Sequence, residues 1–285
     1  MPAGGLNLHA AAGRIGAGTI AAGSALAGWG LFESQWVEFR ELDARVDGLH
    51  PDLDGLRILH LSDFHLGTLS LNARAVAKAV AWGEEREYDL AVVTGDLLSR
   101  RRGTRTLRRA FAALEPRLGT FTILGNHDIA ETRDPFSEPA DPAELNAAGG
   151  VLLSDSSETI VVGTARVQIT GISPDTFRSY AQLGRFADRG ADLRILLCHF
   201  PDVLRRLAPG DFDLVLAGHL HGGQICLPFP GGKLRLEHLR AVHWEGLHQT
   251  PVGLIHVSRG LGTSFVPFRL LARPEVTLLT LRAKE

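Results

Sequence analysis

Aspartates, histidines and an asparagine recur in small groups directly after apolar runs along the middle of the chain. Ser62-Asp63-Phe64-His65 follows Arg57 to Leu61, Gly95-Asp96 follows Leu90 to Val93, and Gly125-Asn126-His127-Asp128 follows Phe121 to Leu124. Cys198-His199 then follows Leu193 to Leu197, and Gly218-His219-Leu220-His221-Gly222-Gly223 follows Leu214 to Ala217. Such runs read as buried strands, and open α/β sheets carry their chemistry in loops outside the carboxyl ends of the strands. One buried Asp or His alone means little, because most cap a helix or satisfy a backbone group; five such strand ends in series converge on one sheet edge. Asp63 and His65 stand two residues apart, as do His219 and His221, so in extended backbone each pair faces one side. The mixture of carboxylate, carboxamide and imidazole suits manganese, iron, zinc or related divalent ions and argues against a closed thiolate zinc site. A single ion cannot use every donor. Two ions about 3.5–4 Å apart can, provided one carboxylate bridges them, and such a pair stabilises the attacking and leaving oxygens of an in-line displacement.

These groups must be positioned by the elements between them. Asn72 to Arg86 has helical spacing, with Asn72 as the N-cap, and Thr104 to Leu114 predicts a second helix. The resulting βαβαβ order implies an α/β fold with a parallel or mixed sheet and right-handed crossovers. Thr159 to Val162 and Arg166 to Thr170 then read as a hairpin, after which crossovers resume with a short helix at Val203 to Leu207. In the last third, Val252 to Val257 and Val276 to Leu281 read as a second sheet. Arg133 to Pro142, with its prolines, reads as a surface loop. Residues 56–285 form the enzyme-like body and 33–55 a connecting arm. Residues 1–32 are an apolar N-terminal segment in which no charge follows Arg14 between Ile15 and Phe32, a length near the ~20 residues of a spanning helix. Arg14 and the Ala25-Leu26-Ala27 pattern fit a signal segment and the length fits an anchor; the third reading is an Ala/Gly-rich helix packed on the domain, although the five glycines from Gly16 to Gly30 weaken it as a helix. The expectation is a membrane-associated or exported chain, with the body more readily exported.

Composition narrows the partners. With 285 residues, 45% hydrophobic and 22% charged, the chain holds one large α/β domain or two small ones. A formal net charge of -2 supplies no global field for nucleic acid, so nucleic acid is not an expected partner and any anion attraction must be local. The local candidate is the run Arg100, Arg101, Arg102, Arg105, Arg108 and Arg109, which reads either as an anion-gathering rim or as a solvated helix face. Two cysteines, Cys198 and Cys226, give no disulfide framework. No protein partner is predicted.

In order and interval, Asp63-Phe64-His65, Gly95-Asp96, Gly125-Asn126-His127-Asp128, His199 and Gly218-His219-Leu220-His221 resemble the five-motif signature of the calcineurin-like metallophosphoesterase superfamily, over about Arg57 to Arg282. Gly222-Gly223-Gln224, Val257-Ser258-Arg259-Gly260-Leu261-Gly262 and Pro274-Glu275-Val276 are similar to a bacterial branch whose members often carry an N-terminal signal or membrane segment. Some of those relatives act as phosphodiesterases or UDP-2,3-diacylglucosamine pyrophosphatases. The resemblance implies two packed mixed β-sheets flanked by helices, a four-layer α/β/β/α sandwich. It also implies roles: Asp63, His65 and His221 hold one metal, Asn126, His199 and His219 the second, and Asp96 bridges. His127 is then free to protonate the leaving oxygen or neutralise charge, with Asp128 orienting its ring. A metal-bridging hydroxide is the implied nucleophile, and Arg100 and Arg259 are candidate substrate contacts. Leu220 and Ser99 depart from the commoner pattern, which has Thr between the two histidines and an acidic residue at the second position. The expected activity is hydrolysis of a phosphoester or pyrophosphate bond in a lipid-linked or nucleotide-linked substrate at the membrane. Two other readings stay open, a membrane-tethered scaffold that keeps the fold without turnover and a nuclease of the same superfamily.

Overall fold

Alternation within the central strands decides the architecture. In β2 (Arg57–Leu61), Ile58 faces one apolar cluster while Leu59 and Leu61 face another; in β3 (Leu90–Thr94), Leu90 and Val92 oppose Ala91 and Val93 in the same way. Strands covered on both faces read as unbroken apolar runs, which is why the sequence shows runs and no alternation. β8 (Leu193–Cys198) and β9 (Leu214–Ala217) behave alike, with Leu193, Ile195, Leu197, Leu214 and Leu216 entering the cluster that Ile58 and Val92 enter. That shared cluster is the core between two sheets. Outside the first sheet pack α2 (Asn72–Glu84) and α3 (Thr104–Ala112) through Val76, Ala79, Leu107 and Phe111; outside the second pack the short helix Pro174–Arg178 and the turns around Val203 and Leu207.

The molecule, a computed structural model describing residues 23–284, is therefore an α/β/β/α sandwich. The first sheet has the order β1-β14-β2-β3-β4-β5 and the second β12-β13-β9-β8-β7-β6. Here β1 is Glu38–Val46, β4 Thr120–Ile123, β5 Val151–Leu152, β6 Ser156–Val162, β7 Ala165–Ile172, β12 Gly246–Thr250, β13 Gly253–Val257 and β14 Glu275–Ala283. β2 to β5 run parallel, as do β7, β8, β9 and β13, while β14 is antiparallel to β2 and β6 to β7, so both sheets are mixed. A separate hairpin joins β10 (Cys226–Phe229) to β11 (Gly232–Arg235).

Four expectations change. Of the two strands expected to form a second sheet in the last third, only β13 joins that sheet; β14 inserts between β1 and β2 in the first. The stretch expected as a connecting arm supplies β1, paired in parallel along its whole length with β14. Asn72 does not cap α2, where Leu71 takes that position. Its amide instead donates to the carbonyls of His65 (3.0 Å) and Thr263 (3.2 Å) and accepts from Thr263 N–H, tying two loops together. The expected membrane-associated or exported localisation is overturned. Residues 1–22 lie outside the described part, and among the described residues no helix is long and apolar enough to cross a membrane. A helix, α1, covers described residues 23–33, and its end is docked on the body: Gly30 lies against Phe268, its carbonyl accepts from Arg269 N–H (3.1 Å), and buried Glu33 accepts from Ala272 N–H (2.8 Å).

Candidate metal centre

The carboxyl ends of β2, β3 and β4 in one sheet and β8 and β9 in the other bring their loops to one rim. There Asp63, His65, Asp96 and His221 form one group, and Asp96, His199 and His219 a second, with the ligand-type atoms of each group within 4.8 Å of one another. Asp96 belongs to both. The pairs do not converge through extended backbone, as their two-residue spacing suggested. Asp63 (φ 52°), His65 (φ 44°), Asp96 (φ 52°), His219 (φ 74°) and His221 (φ 49°) all take the left-handed conformation, which costs non-glycine residues on the order of 1–3 kcal/mol each and clusters at functional sites. Sharp turns, each folded back on its strand, aim these side chains inward. Gly125 is required by close approach: a Cβ there would collide with the Asp96 carboxylate.

The donor geometry fits cations. His65 Nε2 lies 3.0 Å from His221 Nε2 and 3.5 Å from Asp96 Oδ2, and His221 Nε2 lies 3.4 Å from Asp63 Oδ1. In the other group His199 Nε2 is 3.2 Å from His219 Nδ1 and 3.2 Å from Asp96 Oδ2. Ring nitrogens facing each other among carboxylates offer more acceptors than donors, an arrangement that a divalent ion satisfies. Asn126 adds the most direct sign, since its Oδ1 is buried without a hydrogen-bond partner and such orphaned oxygens are rare. The opposite ring edges are anchored as metal-ligating histidines require: His199 Nδ1–H donates to Thr94 O (2.8 Å), and His65 Nδ1 meets Ser99 Oγ (3.1 Å). Burial raises the Asp63 carboxyl to about 6 and drives His65, His219 and His221 well below the usual imidazole range. Burial opposes ionisation of Asp96 as well, but His199, His127 and His65 around it hold its carboxyl well below the ordinary range.

His127 borders the same space. A cavity of about 230 Å³ is lined by Asp96, Asn126, His127, His219 and His221 on its floor and by Arg133, His238 and Phe265 on its walls. Asp128 does not touch the His127 ring, the role that the family resemblance implied for it; its carboxylate accepts from Leu98 N–H and Gly125 N–H (both 2.9 Å), bracing the turns that carry Asp96 and Asn126. Burial, and then the Asp96 charge, raise its carboxyl to about 7.

A family model described as calcineurin-like phosphoesterase matches residues 56–223. The chain belongs to this family. Uncharacterized metallophosphoesterase YkoQ of Bacillus subtilis is 30% identical over 240 residues, covering 81% of this chain and 85% of the relative. YkuE, an uncharacterized metallophosphoesterase of the same organism, is 29% identical over 282 residues, covering 93% and 94%. Phosphodiesterase YaeI of Escherichia coli is 27% identical over 271 residues, covering 93% and 96%. With the Asp/His cluster, this makes the chain a metal-dependent phosphoesterase.

Within the calcineurin-like centre, neither arginine candidate lies among the clustered donor atoms, although the Arg259 stem packs on Gly222 beside His221. Arg259 is buried in a carboxylate knot, with Glu275 at 2.8 Å and Glu38 at 3.0 Å. Arg100 donates to Phe136 O (2.9 Å) and lines, with Arg102, Leu69, Phe136 and Phe265, a groove of about 370 Å³ beside the cavity. Arg101, Arg105, Arg108 and Arg109 are on the solvent side of α3 and the turn before it. Several neighbours of the phosphoesterase site carry no motif signal. Arg133 and His238 line the cavity, with the His238 ring 5.2 Å from that of His219. Fully buried Arg269 donates to the carbonyls of His221, Arg259, Gly260, Gly262 and Ala272. Only an arginine inside an otherwise apolar run, Phe268-Arg269-Leu270, hinted at that role.

Proposed function

We propose that this phosphoesterase is a two-metal hydrolase of phosphodiester or pyrophosphate bonds. The observation that carries the reading is Asp96, whose carboxylate belongs to both donor groups, with the orphaned Asn126 oxygen beside it. Asp63, His65 and His221 would hold one ion, Asn126, His199 and His219 the other, and Asp96 both. The nitrogen and oxygen donor set suits manganese, iron or zinc. Ions bound there supply Lewis-acid stabilisation of the phosphoryl oxygens and an attacking water acidic enough to react near neutral pH. The chain does the rest: Asp96, Asn126, His127 and His221 are buried on the cavity floor, and His127 borders the space where a leaving oxygen would take a proton or charge. Asp128 holds the turns that place Asp96 and Asn126. The groove with Leu69, Phe136 and Phe265 supports a substrate with an apolar arm, lipid-linked or nucleotide-linked, with Arg100 and Arg102 beside it; Arg259, salt-bridged to glutamates, is the weaker substrate contact.

Manganese-loaded protein is expected to hydrolyse an aryl phosphodiester, and Asp96→Asn to lose both turnover and part of the bound metal, read by elemental analysis. Unchanged metal content in Asp96→Asn, together with no hydrolysis of phosphodiesters, nucleoside diphosphates or phospholipids by the wild type, would sink the reading.

A further inference from the structure

The His127 ring is held by the loop that follows its motif. Nδ1 lies 2.6 Å from Ser137 Oγ and 3.9 Å from Asp134 Oδ2, and Nε2 lies 3.2 Å from Thr132 Oγ1 on the cavity wall. All three partners belong to residues 129–141, which leave the motif and return to it. Glu131 N–H donates to Asn126 O (2.8 Å), Glu138 N–H to Ser99 O (2.8 Å) and Ala140 N–H to Asp128 O (2.7 Å). Asp134 is buried, and its two oxygens accept from Phe136 N–H (2.9 Å) and Phe265 N–H (3.1 Å), pinning the loop to the cavity wall. The His65 ring packs edge-on against the His127 ring, 4.5 Å between centroids, and offers no hydrogen bond to Nδ1; two further polar neighbours bond elsewhere. Asp128 is bonded to backbone N–H groups, and the Ser99 hydroxyl meets His65.

We propose that Ser137, backed by Asp134, is the positioning residue for His127. A histidine ring rotates about χ2 in a broad, two-fold well, so a partner on one edge is needed to present the other. The Asp134 carboxylate near Nδ1 favours the tautomer with its hydrogen there, donated to Ser137 Oγ. Nε2 is thereby turned to the cavity. A segment that reads in the sequence only as a surface loop thus completes the site, a role that rests on the reading of His127 as the group acting on the leaving oxygen.

The full chain tests this in two ways. Nitrogen-15 spectra of the metal-free protein, with the His127 signals identified by their loss in His127→Ala, report the tautomer without turnover. Wild type is expected to carry the ring hydrogen on Nδ1, Ser137→Ala and Asp134→Asn to mix the tautomers, and Ser137→Thr to restore the wild-type pattern. On an aryl phosphodiester, Ser137→Ala is expected to lower kcat about tenfold, as small misplacements of a catalytic group do, with KM little changed and no added loss in a His127→Ala background. An unaltered ring spectrum in Ser137→Ala, or an equal fall in kcat with and without His127, overturns the proposal. A wild type inactive on every phosphoester overturns the functional reading instead, and the ring spectrum then decides the positioning alone.

Discussion

At the residue scale, the centre depends on side chains whose work is to hold backbone in costly conformations. Among the described residues Arg269 is the largest fully buried side chain, and its guanidinium gathers carbonyls from the His221 turn and from the 259–262 loop, which packs on Asp63. Burial pulls its pKa down to about 9 against the opposing charge of Asp63, so it stays protonated at neutral pH and every N–H remains a donor. Removing it leaves buried carbonyls without partners, each costing ~1–3 kcal/mol. Arg269→Met is therefore expected to lower the unfolding free energy by ~3 kcal/mol or more in urea melts of constant slope. Arg269→Lys should recover only part of the loss, because an ammonium cannot span the same fork of acceptors. A Met variant as stable as wild type would show the clamp to be dispensable.

At the element scale, strands buried on both faces were legible and strand partners were not. β2, β3, β4, β8 and β9 stand out as apolar runs because each is covered twice, and the ligand residues are visible because they end those runs. β1 is disguised by its charges: Glu41, Asp43 and Arg45 point to solvent, as an edge strand tolerates, while Glu38 and Arg40 reach the buried Arg259–Glu275 pair. The place of β14 depends on which exposed strand edge it meets across the whole chain, a non-local choice with no trace in its own residues. Left-handed turns at Asp63, Asp96 and His221 were equally hidden, since Asp and His take a positive φ more readily than most residues but still only in a minority of positions. The assignment of β14 has a mechanical consequence. Leu279 lies in the inter-sheet core beside Ile58 and Leu281, without accessible surface, so Leu279→Ala should cost ~2–5 kcal/mol. Val161→Thr, on the exposed edge strand β6, should stay within about 0.5 kcal/mol. Equal effects in denaturant titration would contradict a core between the sheets.

At the scale of the whole molecule, packing two sheets face to face takes titratable groups out of water, and they answer pH in opposite directions. His60 in β2 and His256 in β13 meet across the sheets, with their Nδ1 atoms 2.8 Å apart and without accessible surface. Burial pulls His256 to about 3, helped by Arg40, and holds His60 well below the usual range. The unfolded chain binds protons at both below about 6.5, whereas the native chain refuses them until far lower pH. Their contribution to stability is thus present above about 6.5 and is lost as pH falls towards about 3. Asp63 at about 6 and Asp128 at about 7 act the other way, because the native chain protonates them before the unfolded chain does, and they favour the fold as pH falls. The total profile mixes these opposed terms, so the histidine term must be read as a difference. With metal chelated throughout, the unfolding free energy of wild type minus that of His256→Asn is expected to be level above pH 7 and to decline steadily from about 6.5 towards 3. A level difference across that whole range would mean that His256 takes up its proton without disturbing the contact between the sheets.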